Sequence, residues 1–237
     1  MTTNALRTGL DRRRYRLGRR QFTASVRLLR YWLLSAAAIV LIGSPAVALI
    51  WHGSDITLWA PTISILQWFA AAIAGMWLAS TVPSLIANGL TRKELTAAFL
   101  VFGALTGLTL GILAVVGFAA EHALLAAVAE PLDTWGQAIA KGARYLLVAP
   151  VYFFAGAAVV ALALRFGKEG AFLVTLLLVV PLTIFAGTLS LEFFGYGVDV
   201  DTWAFATWLA AGLAFLAALI ATVVLALRSI PIRPKGA

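Results

Sequence analysis

Few side chains in this sequence can do chemistry, and none falls into a catalytic pattern. His52 and His122 are its two histidines. Glu121, His122, Glu130 and Asp133 make the one stretch rich enough in donors to raise the question of a metal. Their spacing matches no zinc signature, so an interfacial histidine serving as an ordinary polar end group is the better reading. Asp199 and Asp201 flank Val200 in an acidic pair that reads as a loop and a helix cap. The chain has no cysteine, which excludes disulfides and thiolate metal sites. It has no Gly-x-Ser-x-Gly nucleophile element and no histidine inside an apolar run, so a Ser-His hydrolase is not expected. It also lacks Gly-x-x-x-x-Gly-Lys-Ser/Thr, the loop that cradles nucleotide phosphates. The expectation is a protein that is not an enzyme, binds no cofactor or metal directly, and leaves any use of ATP and Mg to a separate ATPase.

The segment with the most specific local chemistry runs from Val82 to Leu95. Pro83 suits a break or first turn, Ser84 to Asn88 can form a short helix, and Gly89 supplies a left-handed stop. Thr91 and Glu94 stand at capping-box spacing, which starts the following helix with both end groups satisfied. Arg92 and Lys93 would then be exposed. The expectation is a short helix lying across the mouth of two apolar helices and rigidly joined to both. Downstream, Gly103, Gly107 and Gly111 recur every four residues and place a hydrogen side chain along one stripe, so that another helix can approach closely. Pro150 and Pro181 each remove a backbone hydrogen bond from an apolar run and permit a kink.

These residues are positioned by long hydrophobic elements. Apolar residues make up 62% of the 237-residue chain and charged residues 12%, against roughly 45–50% and about 25% in soluble domains. That much apolar surface points to lipid as the solvent. Six apolar runs, at about 31–50, 58–82, 95–120, 145–164, 171–189 and 203–227, contain no Asp, Glu, Lys or Arg. Each meets the ~20 residues needed to cross a ~30 Å hydrocarbon slab. The fold expected is all-α: six membrane-spanning helices over residues 31–228, preceded by a basic segment at 1–30 and followed by a tail at 229–237.

Charge between the runs is sorted by sign. Of 18 Lys and Arg, 16 lie before the first run, in alternate loops or in the tail, and seven of the ten acidic residues lie in the other loops. Basic segments stay on the cytoplasmic side, so both termini are expected inside. A multi-pass protein of the plasma (inner) membrane follows. Trp51, Trp59, Trp135 and Trp203 fall near the outer ends, where indoles favour the interface.

Nine of the basic residues precede residue 31. This local concentration suits an anionic membrane surface or an acidic partner rather than nucleic acid. Arg19-Arg20-Gln21-Phe22 has the look of a twin-arginine export signal, but Arg27 and Arg30 interrupt the approach to the first apolar run and five more runs follow. Tyr15, Phe22, Val26 and Leu29 share one helical face. Asp11 to Arg30 therefore reads as an amphipathic helix that can lie on the membrane or dock a partner.

With Gly89, Thr91, Arg92 and Lys93 between the second and third runs, the sequence resembles permease subunits of ABC-2-type ATP-binding-cassette transporters. Many of these carry Gly-x-Thr-Arg-basic at that place. Six spans, inner termini and a basic N-terminal helix extend the likeness across the chain. The resemblance implies that Ser84, Asn88, Gly89, Thr91, Arg92, Lys93 and Glu94 belong to a coupling loop seated on a cytoplasmic ABC ATPase. It also implies an exporter whose path is enclosed with a second copy or a related permease. The family often has short re-entrant helices before its last span, and Ser190 to Asp201 shows no such pattern. The absence of carboxylates from the apolar runs argues against proton or sodium coupling. The alternative is a non-transporting six-span membrane protein serving as an immunity, scaffold or sensor subunit.

Overall fold

In a computed structural model of the chain, the backbone is described for residues 2–50, 58–128, 134–193 and 205–229, and the side chains for 15–27, 30–31, 33–47, 49–50, 58–128, 134–166 and 206–229. Every regular element among these residues is a helix: α1 (Thr2–Ile50), α2 (Trp59–Ala87), α3 (Arg92–Val128), α4 (Trp135–Phe193) and α5 (Phe205–Ser229). Among the residues with described side chains, four stretches are long and apolar enough to cross a membrane, namely Trp59–Ala87, Arg92–Val128, Trp135–Phe166 and Ala206–Ser229, and Leu33–Val47 is a shorter apolar stretch of α1.

Two helix boundaries differ from those suggested by the sequence. α1 continues from the basic segment through the first apolar run without a break. α4 likewise continues through Arg165 and Lys168, where a turn between the fourth and fifth runs is expected. Gly167 and Gly170 flank Lys168 and Glu169 and weaken a helix there, but no proline interrupts the stretch, so local propensity permits a turn without forcing one. The fifth run, 171–189, lies on this helix beyond the described side chains.

The core is built on α4. Its residues Val148, Val151, Phe153, Ala157, Ala158 and Ala161 are fully buried. Aromatic rings from three helices interlock there. Trp77 of α2 stacks on Phe99 of α3 with ring centres 5.3 Å apart, and Phe99 and Phe102 lie 5.4 and 5.3 Å from Phe153 of α4. Offset and edge-on contacts at these distances are the favourable arrangements for the ring quadrupoles. A second, smaller cluster gathers Trp59, Ile63, Ala114, Phe118 and Tyr145, with Ala37, Val40 and Leu41 of α1 against it.

Small residues set how closely these helices approach. Gly103 faces Phe153 and Phe154, Gly107 faces Pro150, Gly111 faces Leu146, and Gly142 of α4 faces Val115. The partners step backward by three to four residues as the glycines step forward by four, so α3 and α4 run antiparallel with matched turns. A Cβ added at Gly107 would sit 2.6 Å from Pro150 Cγ, and one at Gly111 2.6 Å from Leu146 Cδ2. On the other side of α4, Gly156 lies against the backbone of Ala71 and Gly75 against Val160.

α1 packs beside α3 in a parallel sense. Gly18 abuts the Ala98 carbonyl and Val101, while Ser44 bonds to Glu121. The amphipathic face inferred for the N-terminal segment is divided: Phe22 packs on the main core, while Tyr15 and Val26 are exposed. Leu29 lies outside the described side chains.

Candidate functional sites at the two ends of the bundle

At the end where α2 meets α3, the backbone reverses in four residues. The Gly89 N–H donates to the Ile86 carbonyl at 3.0 Å and the Leu90 N–H to the Leu85 carbonyl at 3.1 Å. This is the paired 5→2 and 6→1 closure of a Schellman motif, which requires a left-handed residue after the helix. Gly89 supplies it with φ +79°, and no atom stands within 4 Å of where its Cβ would be. Thr91 then opens α3. Its N–H and hydroxyl donate to Glu94 Oε2 at 3.0 and 2.8 Å, and the Glu94 N–H donates to Thr91 Oγ1 at 3.3 Å. The capping box is complete.

Two features of this turn differ from the sequence reading. Ser84 to Ala87 are the last turn of α2, which passes through Pro83, so no separate transverse helix exists here. A proline removes one intrahelical bond, and here only four helical residues follow it before the Schellman stop. Arg92, expected to be exposed, is partly buried, and its Nη1 donates to the Arg228 carbonyl at the end of α5 at 2.7 Å. A guanidinium beside the final carbonyls of a helix satisfies an orphan acceptor and complements the negative end of the helix dipole. Arg92 thus joins the start of α3 to the end of α5, while Lys93 and Asn88 are exposed. Gly103, Gly107 and Gly111 are buried between α3 and α4, as described above.

At the opposite end sits a carboxylate that the sequence pattern placed in a loop. Glu121 is 2% exposed. Its Oε1 accepts the Ser44 hydroxyl of α1, the Leu58 N–H at 2.9 Å and the Trp59 N–H at 3.1 Å. One oxygen therefore ties α1, α2 and α3 together. Leu58, at the N-cap of α2, offers no side-chain acceptor, so the orphan amides of that helix start are met from another helix. Trp59 reinforces the tie by donating its indole N–H to the Ala114 carbonyl at 3.3 Å, and its ring lies over Gly117. His122, also buried, packs edge-on against Trp135 with ring centres 4.4 Å apart.

No group of three or more metal-ligating side chains occurs among the described residues. Glu121 and His122 are turned to structural partners, and Glu130 and Asp133 lie outside the described residues, as do His52, Asp199 and Asp201. A signal for the Glu121 tie was present in the sequence. A helix starting at Leu58-Trp59-Ala60-Pro61 lacks a capping side chain at Leu58, and Glu121 ends an otherwise unbroken apolar run.

Comparison with known proteins returned no matching family model, no matching curated protein and no matching solved structure.

Proposed function

We propose that the chain is the membrane-spanning permease subunit of an ABC-2-type exporter. In this reading it is driven by a separate cytoplasmic ATPase that holds ATP and Mg, and it encloses its path with a second copy or a related permease. The observation that carries the reading is the rigid turn at Gly89–Glu94, with its left-handed glycine and closed capping box. Such a turn can pass a push from a docked protein into α2 and α3 together, and it falls where Gly89, Thr91, Arg92 and Lys93 match the family pattern. The proposal includes six spans, both termini cytoplasmic and residence in the plasma membrane, supported by the sorting of basic residues to alternate segments.

The topology is tested by labelling, since the chain has no native cysteine. Cysteine placed at Ser54 or Asp199 should react with an impermeant reagent from outside, and cysteine at Ser84 should not. The six-span count also requires a reversal near Lys168, so cysteine there should be shielded from outside. The function is tested by purifying the tagged chain from its native membrane and identifying partners. Stoichiometric recovery of an ABC ATPase supports it, and repeated recovery without one removes it.

One observation favours the second reading, a non-transporting scaffold, immunity or sensor subunit. The turn carries no transverse helix, and Arg92 is engaged within the bundle by α5. That leaves Lys93 and the exposed end of α2 as the surface for a partner.

A further inference from the structure

The parallel packing of α1 on α3 places arginines beside an apolar stretch. Gly18 is level with Ala98, and Ser44 is level with Glu121. Nine residues of helix carry Arg27 about 13.5 Å beyond Gly18, and the same advance along α3 from Ala98 reaches Gly107. Arg30 falls level with Leu110. Both positions are near the midpoint of the uncharged run from Leu95 to Ala120. Arg27 and Arg30 are nevertheless exposed on the outer side of α1. Arg16, Arg20 and Arg27 stand at spacings of four and seven, which puts them on one stripe. That stripe continues into Leu34, 68% exposed, with Tyr31, 67% exposed, beside it. Arg30 is held by the Tyr31 hydroxyl, which accepts from its Nη2 at 2.7 Å, and its guanidinium lies 4.5 Å from the centre of the same ring.

An exposed guanidinium at the depth of a hydrocarbon core is expensive unless an anion or water meets it. No described side chain supplies that anion. Among the described residues the acidic side chains are Glu94 and Glu121, and these are engaged at the two ends of α3, away from Arg27 and Arg30. An apolar surface adjoins the arginines on the same face. We propose that this face of α1 is a binding site for a phosphate-bearing lipid. Its head group is drawn inward to Arg27 and Arg30, and its acyl chains lie along Tyr31, Leu34 and Ile42. The inference rests on the membrane-spanning placement of α3 and not on the partnership with an ATPase, and it begins the first span near Gly18 instead of Tyr31.

The test uses the full chain in nanodiscs of phosphatidylcholine with and without phosphatidylglycerol. A nitroxide at position 27 reports depth through its collisions with oxygen and with a water-soluble nickel chelate. Co-purifying lipid reports binding. The expected results are an oxygen-accessible, chelate-protected label and enrichment of phosphatidylglycerol over its bulk fraction. That enrichment should fall about tenfold in the Arg27→Gln/Arg30→Gln variant. It should survive in Arg27→Lys/Arg30→Lys, which keeps the charge, and in Arg16→Gln/Arg20→Gln. A label as chelate-accessible as one at Lys93 would place the stripe in water and overturn the proposal. Equal loss of enrichment in both glutamine pairs would reduce it to diffuse surface attraction, and crosslinking of position 27 to an acidic protein segment would replace the lipid with a partner. Recovery or loss of an ATPase leaves these readouts unchanged, so the two proposals fail separately.

Discussion

Glu121 and Trp59 lie 62 residues apart in the chain, yet the Glu121 carboxylate accepts the backbone N–H of Trp59 at 3.1 Å. It does for α2 what an N-cap side chain does from within a helix, while also holding Ser44 of α1. The acceptor oxygen stands at the positive end of the α2 dipole, where an acceptor is favoured. Three helices therefore share one acceptor at one end of the bundle, and removing that acceptor should loosen all three.

Replacing Glu121 by Leu strands the Leu58 and Trp59 amides, while the Ser44 hydroxyl keeps the Val40 carbonyl as acceptor at 3.0 Å. Leaving a buried donor unmet costs about 1–3 kcal/mol, so a total loss of about 2–6 kcal/mol is expected for the two amides. Glu121→Gln keeps an acceptor oxygen and should recover most of it, while Ser44→Ala should cost about 1 kcal/mol. Denaturant unfolding in detergent micelles, followed by Trp fluorescence, checks the order Leu, Ala, Gln. A Glu121→Leu protein as stable as the parent would show that water or the loop before α2 meets those amides instead.

Gly107 against Pro150 provides a second stability test. The Cβ of Gly107→Ala would sit 2.6 Å from Pro150 Cγ, so α3 and α4 must part. A loss of about 1–3 kcal/mol is expected, larger for Gly107→Leu. Trimming the opposing ring with Pro150→Ala should restore part of it, giving a coupling of about 0.5–3 kcal/mol in a double-mutant cycle. Independent, additive effects would mean that the two helices already yield at this point.

What could be read from the sequence was local or periodic. The Thr91–Glu94 box, the Gly89 stop and the four-residue glycine stripe each depend on residues within two turns of one another, where backbone geometry fixes what neighbours do. The unread features are pairings between distant segments. Nothing near Arg92 indicates that its partner is the Arg228 carbonyl, 136 residues away. Glu121 is grouped with the outer charges by sign alone, because a hydropathy pattern does not separate a solvated end residue from a buried cap. Pro83 reads as a breaker because its cost is local, whereas α2 spends only one further turn beyond it. The basic segment of α1 is a similar case: periodicity defines its face, but only packing shows that Phe22 meets the core and that Arg27 lies level with Gly107.

Gly89 separates backbone strain from packing. No atom would meet its Cβ, so Gly89→Ala should lose only the cost of a non-glycine residue at φ +79°, about 1–2 kcal/mol. Asn tolerates that region, so Gly89→Asn should lose less, and β-branched Gly89→Val should lose most. The same unfolding measurement ranks them. A flat series would mean that the turn adopts another conformation at no cost.

The two basic residues after Thr91 separate structure from docking. Arg92→Glu removes the donor to the Arg228 carbonyl and sets a negative charge beside the negative end of α5. It should therefore lower the melting temperature in detergent as well as any partner affinity, and a defect in that variant alone is ambiguous. Arg92→Gln shortens the side chain and removes its charge, so it should show the stability loss without the like-charge repulsion. Lys93 is exposed, and Lys93→Glu should leave melting unchanged. If the turn seats on an acidic surface of an ATPase, Lys93→Glu should lower ATPase recovery in a pull-down, and transport with it, at wild-type membrane levels. Reversing an opposing acidic residue on the ATPase should restore both. Wild-type recovery and transport with Lys93→Glu, alongside a melting defect in Arg92→Glu, would assign the basic pair to the bundle and favour the scaffold, immunity or sensor reading.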